Sequence, residues 1–445
     1  MLGSGWSPEF FAGGTPHRCE LDALVSDRPA LLGGRDHHSV WANSAAMALA
    51  GITRDTPDPA DGRIGRDADG EPDGNFYEGA MALMRAHAPQ VDLDLATRGL
   101  LATQEYLHGF GVTSWQDAIL GYDLDLGLCI DAYVEAERRG ALTMRTTGCV
   151  WWERGRGAEQ LADVAAADRR LRAGLPPERW RGTGVKIMID GVPESGTAAL
   201  SQPYRDGHGN ELDHRGDSYF DPAALKEHLV AIDAAGYTVH FHAIGDRAVT
   251  EALDAVAEAR RVNGPSGLPH HLAHLQLVAR EDLPRFAELD ATANLQMFWA
   301  TAAPPNTEHT IPFISPDFAD RLYPFGELHL AGAPLAAGSD WPVTTPDPIA
   351  ALHVGVNRAR GEGEPPFGGP IQQLDLATAL TAYTAGTARI NGHAHETGRL
   401  AAGCLADLAI LDRDLFALPG HRIAEASVLR TYVGGRLVYE RGGAA

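Results

Sequence analysis

The chain has 445 residues, 44% of them hydrophobic, enough for one large barrel plus a small accessory domain. Its 37 basic residues stand against 59 acidic ones, and the resulting net charge of −22 repels phosphate backbones and anionic membrane surfaces, which argues against nucleic acid and membranes as partners. No run approaches the ~18 consecutive apolar residues of a membrane span, the opening "MLGSGWSPEF" lacks a secretory pattern, and four scattered cysteines form no C-x-x-C pair, so the expected compartment is the cytoplasm.

In chain order, "PALLGGRD" reads as a strand and "WANSAAMALAGI" as a helix opened by Asn-Ser. Residues 53–76 are rich in Asp, Pro and Gly and read as a loop carrying a "DADGEP" hairpin turn, so residues 28–91 form an insertion. From about residue 92 helical periodicity alternates with short β-rich runs: "VTSWQDA", "LTMRTTGCVWW", "GVKIMIDG", "YTVHFHAIGD", "HHLAHLQLV", "ATANLQMFW" and "APLAAGSDWP". Alternation of this kind predicts a parallel sheet. Asp117, Asp190, His242 and Asp340 fall at strand ends, where a (β/α)8 barrel carries its chemistry. The count is seven strands, however, one short of a closed barrel. Either residues 1–91 supply the eighth or it lies upstream of Met1. The barrel is expected over 1–397. Beyond residue 398, "GCLADLAILD" and "SVLRTYVGGRLVYE" alternate as strands, the second folded at Gly434-Gly435, and read as a remnant of a composite β-sandwich. Unpaired edges predict contacts between copies of the chain.

Side chains two apart on a strand share a face, so His240 and His242 in "YTVHFHAIGD" point the same way. Lys186, His242, His274 and Asp340 each end a different strand. Imidazoles and carboxylates suit zinc and related divalent metals. A buried lysine of lowered pKa reacts with carbon dioxide to give a carbamate that binds metal as a carboxylate does. Taken singly, each residue has a bland explanation as a core histidine, an ion-pair partner or a turn cap.

These motifs occur in an order that resembles the amidohydrolase superfamily, in its amidohydrolase-3 or YtcJ-like branch. The resemblance rests on "GRDHHSVWANSAAMALAGI", "GRIGRDADGEPDG", "GVKIMIDGVPESGTAALSQPY", "HFHAIGDRAV", "HLAHLQLV", "AGAPLAAGSDWPV" and "GCLADLAILDRDLF". It implies a (β/α)8-type TIM barrel of the metal-dependent hydrolases holding one or two divalent ions, zinc in the first instance. Lys186 would be the carboxylated lysine bridging metals, His242 and His274 ligands, and Asp340 both ligand and catalytic base. The implied reaction is hydrolysis of a non-peptide carbon–nitrogen bond in a small-molecule N-substituted amide or formamide. His38, Asn43, Glu78, Gln296 and Trp341 are weaker candidates for substrate contact, which helix packing, capping and burial explain equally well. His240 is expected one pleat below His242, orienting a ligand.

Two departures from the family pattern matter. The first barrel strand, ending in an H-x-H pair of ligands, has no counterpart; adjacent His37 and His38 would face opposite ways on a strand. Ala273 stands where relatives usually carry Glu. A chain lacking that first strand is expected to hold at most about one metal. The alternative reading is a catalytically impaired, truncated barrel serving as a binding or assembly protein.

Overall fold

The computed structural model describes residues 1–7, 10–11, 15–59, 61–122 and 124–442. Its first unit is a mixed five-stranded sheet of β1 (Leu2–Trp6), β2 (Leu31–Gly34), β3 (Ser39–Ala42), β4 (Gly62–Arg66) and β5 (Pro72–Glu78), in the order β1-β2-β3-β5-β4. Alternation along β3 explains its two small cores. Val40 packs with Ile64 and Phe76 on one face, and Trp41 with Trp6 and Leu21 on the other. The stretch expected to be loop over 53–76 is therefore corrected in part: the Asp-Gly turn is present, but strands β4 and β5 flank it. "PALLGGRD" becomes β2 of this sheet and does not supply an eighth barrel strand.

The second unit is parallel: β6 (Ser114–Leu120), β7 (Arg145–Trp151), β8 (Trp180–Met188), β9 (Val239–Ala243), β10 (His271–His274), β11 (Thr292–Leu295) and β12 (Leu335–Ala337). Among the described residues they form one seven-stranded sheet in the order β12 to β6, curled into a partial barrel with the two end strands unpaired to each other. Helices such as Leu126–Arg138, Leu161–Gly174, Pro222–Ala234 and Asp246–Asn263 connect successive strands. Their starts follow local chemistry: Asp221 caps the backbone N–H groups of Ala223 and Ala224, with Pro222 at the first helical position.

Register explains why the interior of this barrel is polar. Lys186 pairs with His240, His240 with His271, and His271 with Thr292; one pleat higher Met188 pairs with His242, His242 with Ala273, and Ala273 with Asn294. Paired residues of neighbouring strands share a face, and so do residues two apart. The opposite face carries Val185, Ile187, Val239, Phe241, Leu272 and Leu295, all fully buried against residues such as Leu229 and Leu253 of the helices. Parallel sheets are ordinarily apolar on both faces. Here the outer face alone supplies the core, leaving the inner one free for chemistry.

The last unit is the antiparallel sheet β13 (Leu408–Leu411), β14 (Val428–Val433) and β15 (Arg436–Glu440). Gly434 and Gly435, at φ of 57° and 79°, make the tight turn between β14 and β15. Arg145, the first residue of β7, forms a buried ion pair with Asp407 (2.6 and 3.0 Å), and Thr431 Oγ1 donates to the His108 carbonyl (2.7 Å), tying this sheet to the barrel's strand-start end.

Candidate active site

The polar inner face ends in two imidazoles in edge contact, His242 and His274, with ring centroids 4.5 Å apart. His242 arrives there by alternation. His274 does not: alternation puts it with Leu272 on the outer face, and the chain turns left-handed at His274 (φ 81°) and Leu275 (φ 51°). Three contacts fix the result. Gln296 Oε1 accepts the His274 backbone N–H (2.7 Å), Trp299 stacks on the His274 ring (5.2 Å, 4° between planes), and Trp299 Nε1 donates to Thr344 Oγ1 (3.0 Å) in the loop after Asp340. His274 Nδ1 is buried without a hydrogen-bond partner among the described residues.

Asp190 supports His242. Its carboxylate is fully buried, lies 3.2 Å from His242 Nδ1, and accepts backbone N–H groups of Ala199, Ile244 and Gly245. A ring that donates Nδ1–H to Asp190 presents an unprotonated Nε2 to the interior. Burial pushes the Asp190 carboxyl up to about 7, against the three N–H donors. Asp190 was legible only as a strand-end carboxylate, and its link to His242 needed the fold. Asp117, the other such residue, faces outward and accepts from the Tyr133 hydroxyl (2.9 Å).

Lys186 is 4% exposed and makes no hydrogen bond or ion pair among the described residues. Burial pushes its amine down to about 8, with the charge of Asp340 opposing. Burial, helped by neighbouring cationic groups, also holds His242 well below the ordinary imidazole range, and brings His274 to about 4. Both rings are thus neutral, as metal ligands must be. Asp340 has φ 53° and acts electrostatically on Lys186, His274 and His38.

The N-terminal sheet contributes a second pair. His38, directly ahead of β3, lies 2.8 Å through Nδ1 from Glu78 Oε1, and its ring is 5.3 Å from that of His242. Burial lowers the His38 imidazolium, but the charge and hydrogen bond of Glu78 overcome it and carry it up to about 9. Asn43 spends its amide on the backbone, accepting from Ala30 and Ala46 and donating to Val25 and Arg28, as a helix cap and loop latch. The Trp341 ring packs near that of Tyr106 (5.8 Å between centroids). His240 bonds through Nδ1 to Gln116 Oε1 (2.6 Å), and Gln116 Nε2 donates to Asn391 Oδ1, while His240 Nε2 is buried without a hydrogen-bond partner among the described residues.

As a metal centre the donor set fits in part. Two neutral imidazoles, an orphaned Nδ1 and an unpaired buried lysine suit a divalent ion, yet among the described residues no three His, Cys, Asp or Glu side chains sit close enough together to hold one.

A curled parallel sheet with its polar groups at the strand ends and connecting helices outside defines a (β/α)-barrel. The chain belongs to the amidohydrolase family, whose model matches residues 1–439. It is 29% identical to Protein LONG AFTER FAR-RED 3 of Arabidopsis thaliana over 99% of this chain and 74% of that one. It is 28% identical to the putative amidohydrolase YtcJ of Bacillus subtilis over 99% of this chain and 80% of that one. It is also 28% identical to the N-substituted formamide deformylase of Arthrobacter pascens over 96% and 76%. The crystal structure of an uncharacterized metal-dependent hydrolase from Pyrococcus horikoshii OT3 superposes with a TM-score of 0.68 at 24% identity, covering 94% of this chain and 78% of that one, and so shares the fold.

Proposed function

We propose that the protein is a metal-dependent hydrolase of a non-peptide carbon–nitrogen bond in a small N-substituted amide or formamide. The observation that carries this reading is the buried His242–His274 pair, with Asp340 and the buried Lys186 within electrostatic reach of it. The formamide deformylase relative suggests the formyl substrate class. His242, His274 and Lys186 as its carbamate would hold the ion, zinc on donor type, which when bound supplies a Lewis acid and a water of lowered pKa. Asp190 keeps the His242 lone pair aimed inward. Asp340 takes the proton from the attacking water and returns it to the nitrogen as the bond breaks, since an amine leaves only when protonated. His38, steadied by Glu78, borders the same space. Four free cysteines fit a reducing cytoplasm, and no helix among the described residues is long and apolar enough to cross a membrane.

Metal analysis with a parallel assay of N-formyl amine hydrolysis tests the proposal. Bound zinc together with turnover that chelation abolishes supports it; hydrolysis indifferent to chelation sinks it. That no three His, Cys, Asp or Glu side chains lie close together among the described residues favours a second reading, a barrel that binds small amides without cleaving them. Tight amide binding with neither metal nor turnover would select that reading.

A further inference from the structure

A cleft of about 340 Å³ opens on the outside of the barrel, where the C-terminal ends of β6 and β7 meet the helices Leu126–Arg138 and Leu161–Gly174. Its size is at the lower end of the range of small-molecule sites. Leu120 and Val150, paired across β6 and β7, floor it from the outer face of the sheet, and Ile130 and Val164 wall it from the two helices. The polar interior with its imidazoles lies on the other face. Local bonds hold the rim in place. Gln160 Oε1 accepts the Glu153 backbone N–H (2.8 Å) and Gln160 Nε2 donates to the carbonyls of Glu153 (3.2 Å) and Gly157 (3.3 Å), while Asp125 opposite accepts the Leu128 N–H (3.1 Å) as a helix cap.

Charge at the mouth selects the guest. Arg156 is spent on Asp163 (2.9 Å) and Arg170 on Asp131 (2.7 Å), which leaves the exposed carboxylates of Asp125 and Glu153 on the rim with no ion pair among the described residues. The two helix N-termini at this end would draw an anion, but Asp125 at one and Asp163 in the first turn of the other already meet them. The net charge of −22 adds to the preference for a cation. An apolar floor beneath two uncommitted carboxylates suits a cation on an apolar body.

We propose that this cleft binds a primary ammonium ion carried on an aromatic or branched alkyl body, the apolar part against the floor and the ammonium at Asp125 and Glu153. An amine of this class is what cleavage of an N-substituted formamide releases, a link that rests on the hydrolase reading, whereas the site itself does not. Trp151 stands between the two places: it lines the cleft and pairs in register with Lys186 across β7 and β8.

The test is calorimetric titration of the full chain at low salt with 2-phenylethylammonium, 2-phenylethanol and 3-phenylpropanoate, which share a phenyl body and differ in charge. The expected result is binding of the amine at least ~10-fold tighter than the alcohol, with the carboxylate weakest. Combining Asp125→Asn, which keeps the helix cap, with Glu153→Gln on the exposed rim should bring the amine down to the alcohol while the circular dichroism melt is kept. Ala166→Phe, on the half-buried wall of the cleft, should abolish binding of both. No measurable binding of the amine, a carboxylate held as tightly as the amine, or an amine affinity unchanged in the double variant would overturn the site. Hydrolysis of N-formyl-2-phenylethylamine is assayed separately on metal-loaded protein. Amine binding that needs Asp125 and Glu153, without turnover, keeps the cleft and sinks the hydrolase reading, whereas turnover without such binding does the reverse.

Discussion

The N-terminal sheet and the parallel sheet both deliver charged side chains to one space, and they do so by opposite means. In the parallel sheet the delivery is regular along β8 and β9, where a period of two puts Lys186, His240 and His242 on the inner face and leaves the outer face to pack the helices; only past the strand ends, at His274 (φ 81°) and Asp340 (φ 53°), does it use left-handed backbone. In the N-terminal sheet it depends on exceptions. His37 has φ 64° and Glu78 φ 53°, and the contact between His38 and Glu78 spans 40 residues of sequence. Left-handed backbone of this kind in non-glycine residues persists where surrounding structure over-determines it. Periodic delivery can be read in advance, but delivery through a bent turn cannot.

The largest effect should fall on the barrel side. Replacing Asp340 by Asn removes the proton acceptor while keeping shape, and a drop of about 10²–10⁴-fold in kcat is expected with little change in thermal midpoint. A fall in kcat below tenfold would take Asp340 out of the reaction. Asp190→Asn acts one contact further away. Losing the carboxylate that fixes His242 should weaken metal affinity by about 10–100-fold, measured by competition with a chromophoric chelator. Unchanged affinity would reduce Asp190 to a loop anchor for Ala199, Ile244 and Gly245.

Gly191 joins the two regions. A Cβ there would stand 2.6 Å from Glu78 Oε1 and closer still to Thr197 Oγ1, so the side chain that holds His38 must move. Gly191→Ala should cost about 1–3 kcal/mol of stability as overpacking and lower kcat/KM without emptying the metal site. If metal content falls as sharply as in Asp190→Asn, the N-terminal pair and the imidazole pair are one unit and the contrast between the regions fails.

How much was legible follows the same line. All seven parallel strands, the helix opened at Asn43 and the glycine turn at 434–435 were readable, because each rests on a local pattern. So were His242 and Lys186 as inward groups. The five-stranded N-terminal sheet was not. Its β4 and β5 carry glycines and charged residues in place of a clear apolar alternation, and only β5 pairs with β3, a contact that no local window contains. The Trp299 stack on His274, the Asp190 bond to His242 and the Arg154–Tyr219 contact join segments whose proximity only the fold creates. Asn43 was readable both as a cap and as a substrate contact, since both ask for the same amide, and the structure places it as a helix cap.

The smallest effect concerns the polar floor of the barrel. His271 and His393 are fully or almost fully buried, and burial pushes them down from 6.5 to about 3 and about 4. A base whose folded pKa is depressed contributes its full stability above the unfolded value. Below it the unfolded chain takes up a proton that the folded chain refuses. Stability from these two residues should therefore be complete above about pH 6.5 and decline as pH falls toward 4, by on the order of 1 kcal/mol per pH unit for each. Asp190, raised by burial, titrates in the opposite sense. The measurement is therefore a difference: urea midpoints for the protein and for His271→Gln at pH 7.5 and pH 5. The gap between the two should shift in favour of the variant on acidification, because Gln keeps a donor for Gln116 and has no proton to refuse. A gap that stays constant between those pH values would mean that the folded ring takes up its proton as readily as the unfolded chain does, and that burial does not depress the His271 imidazole.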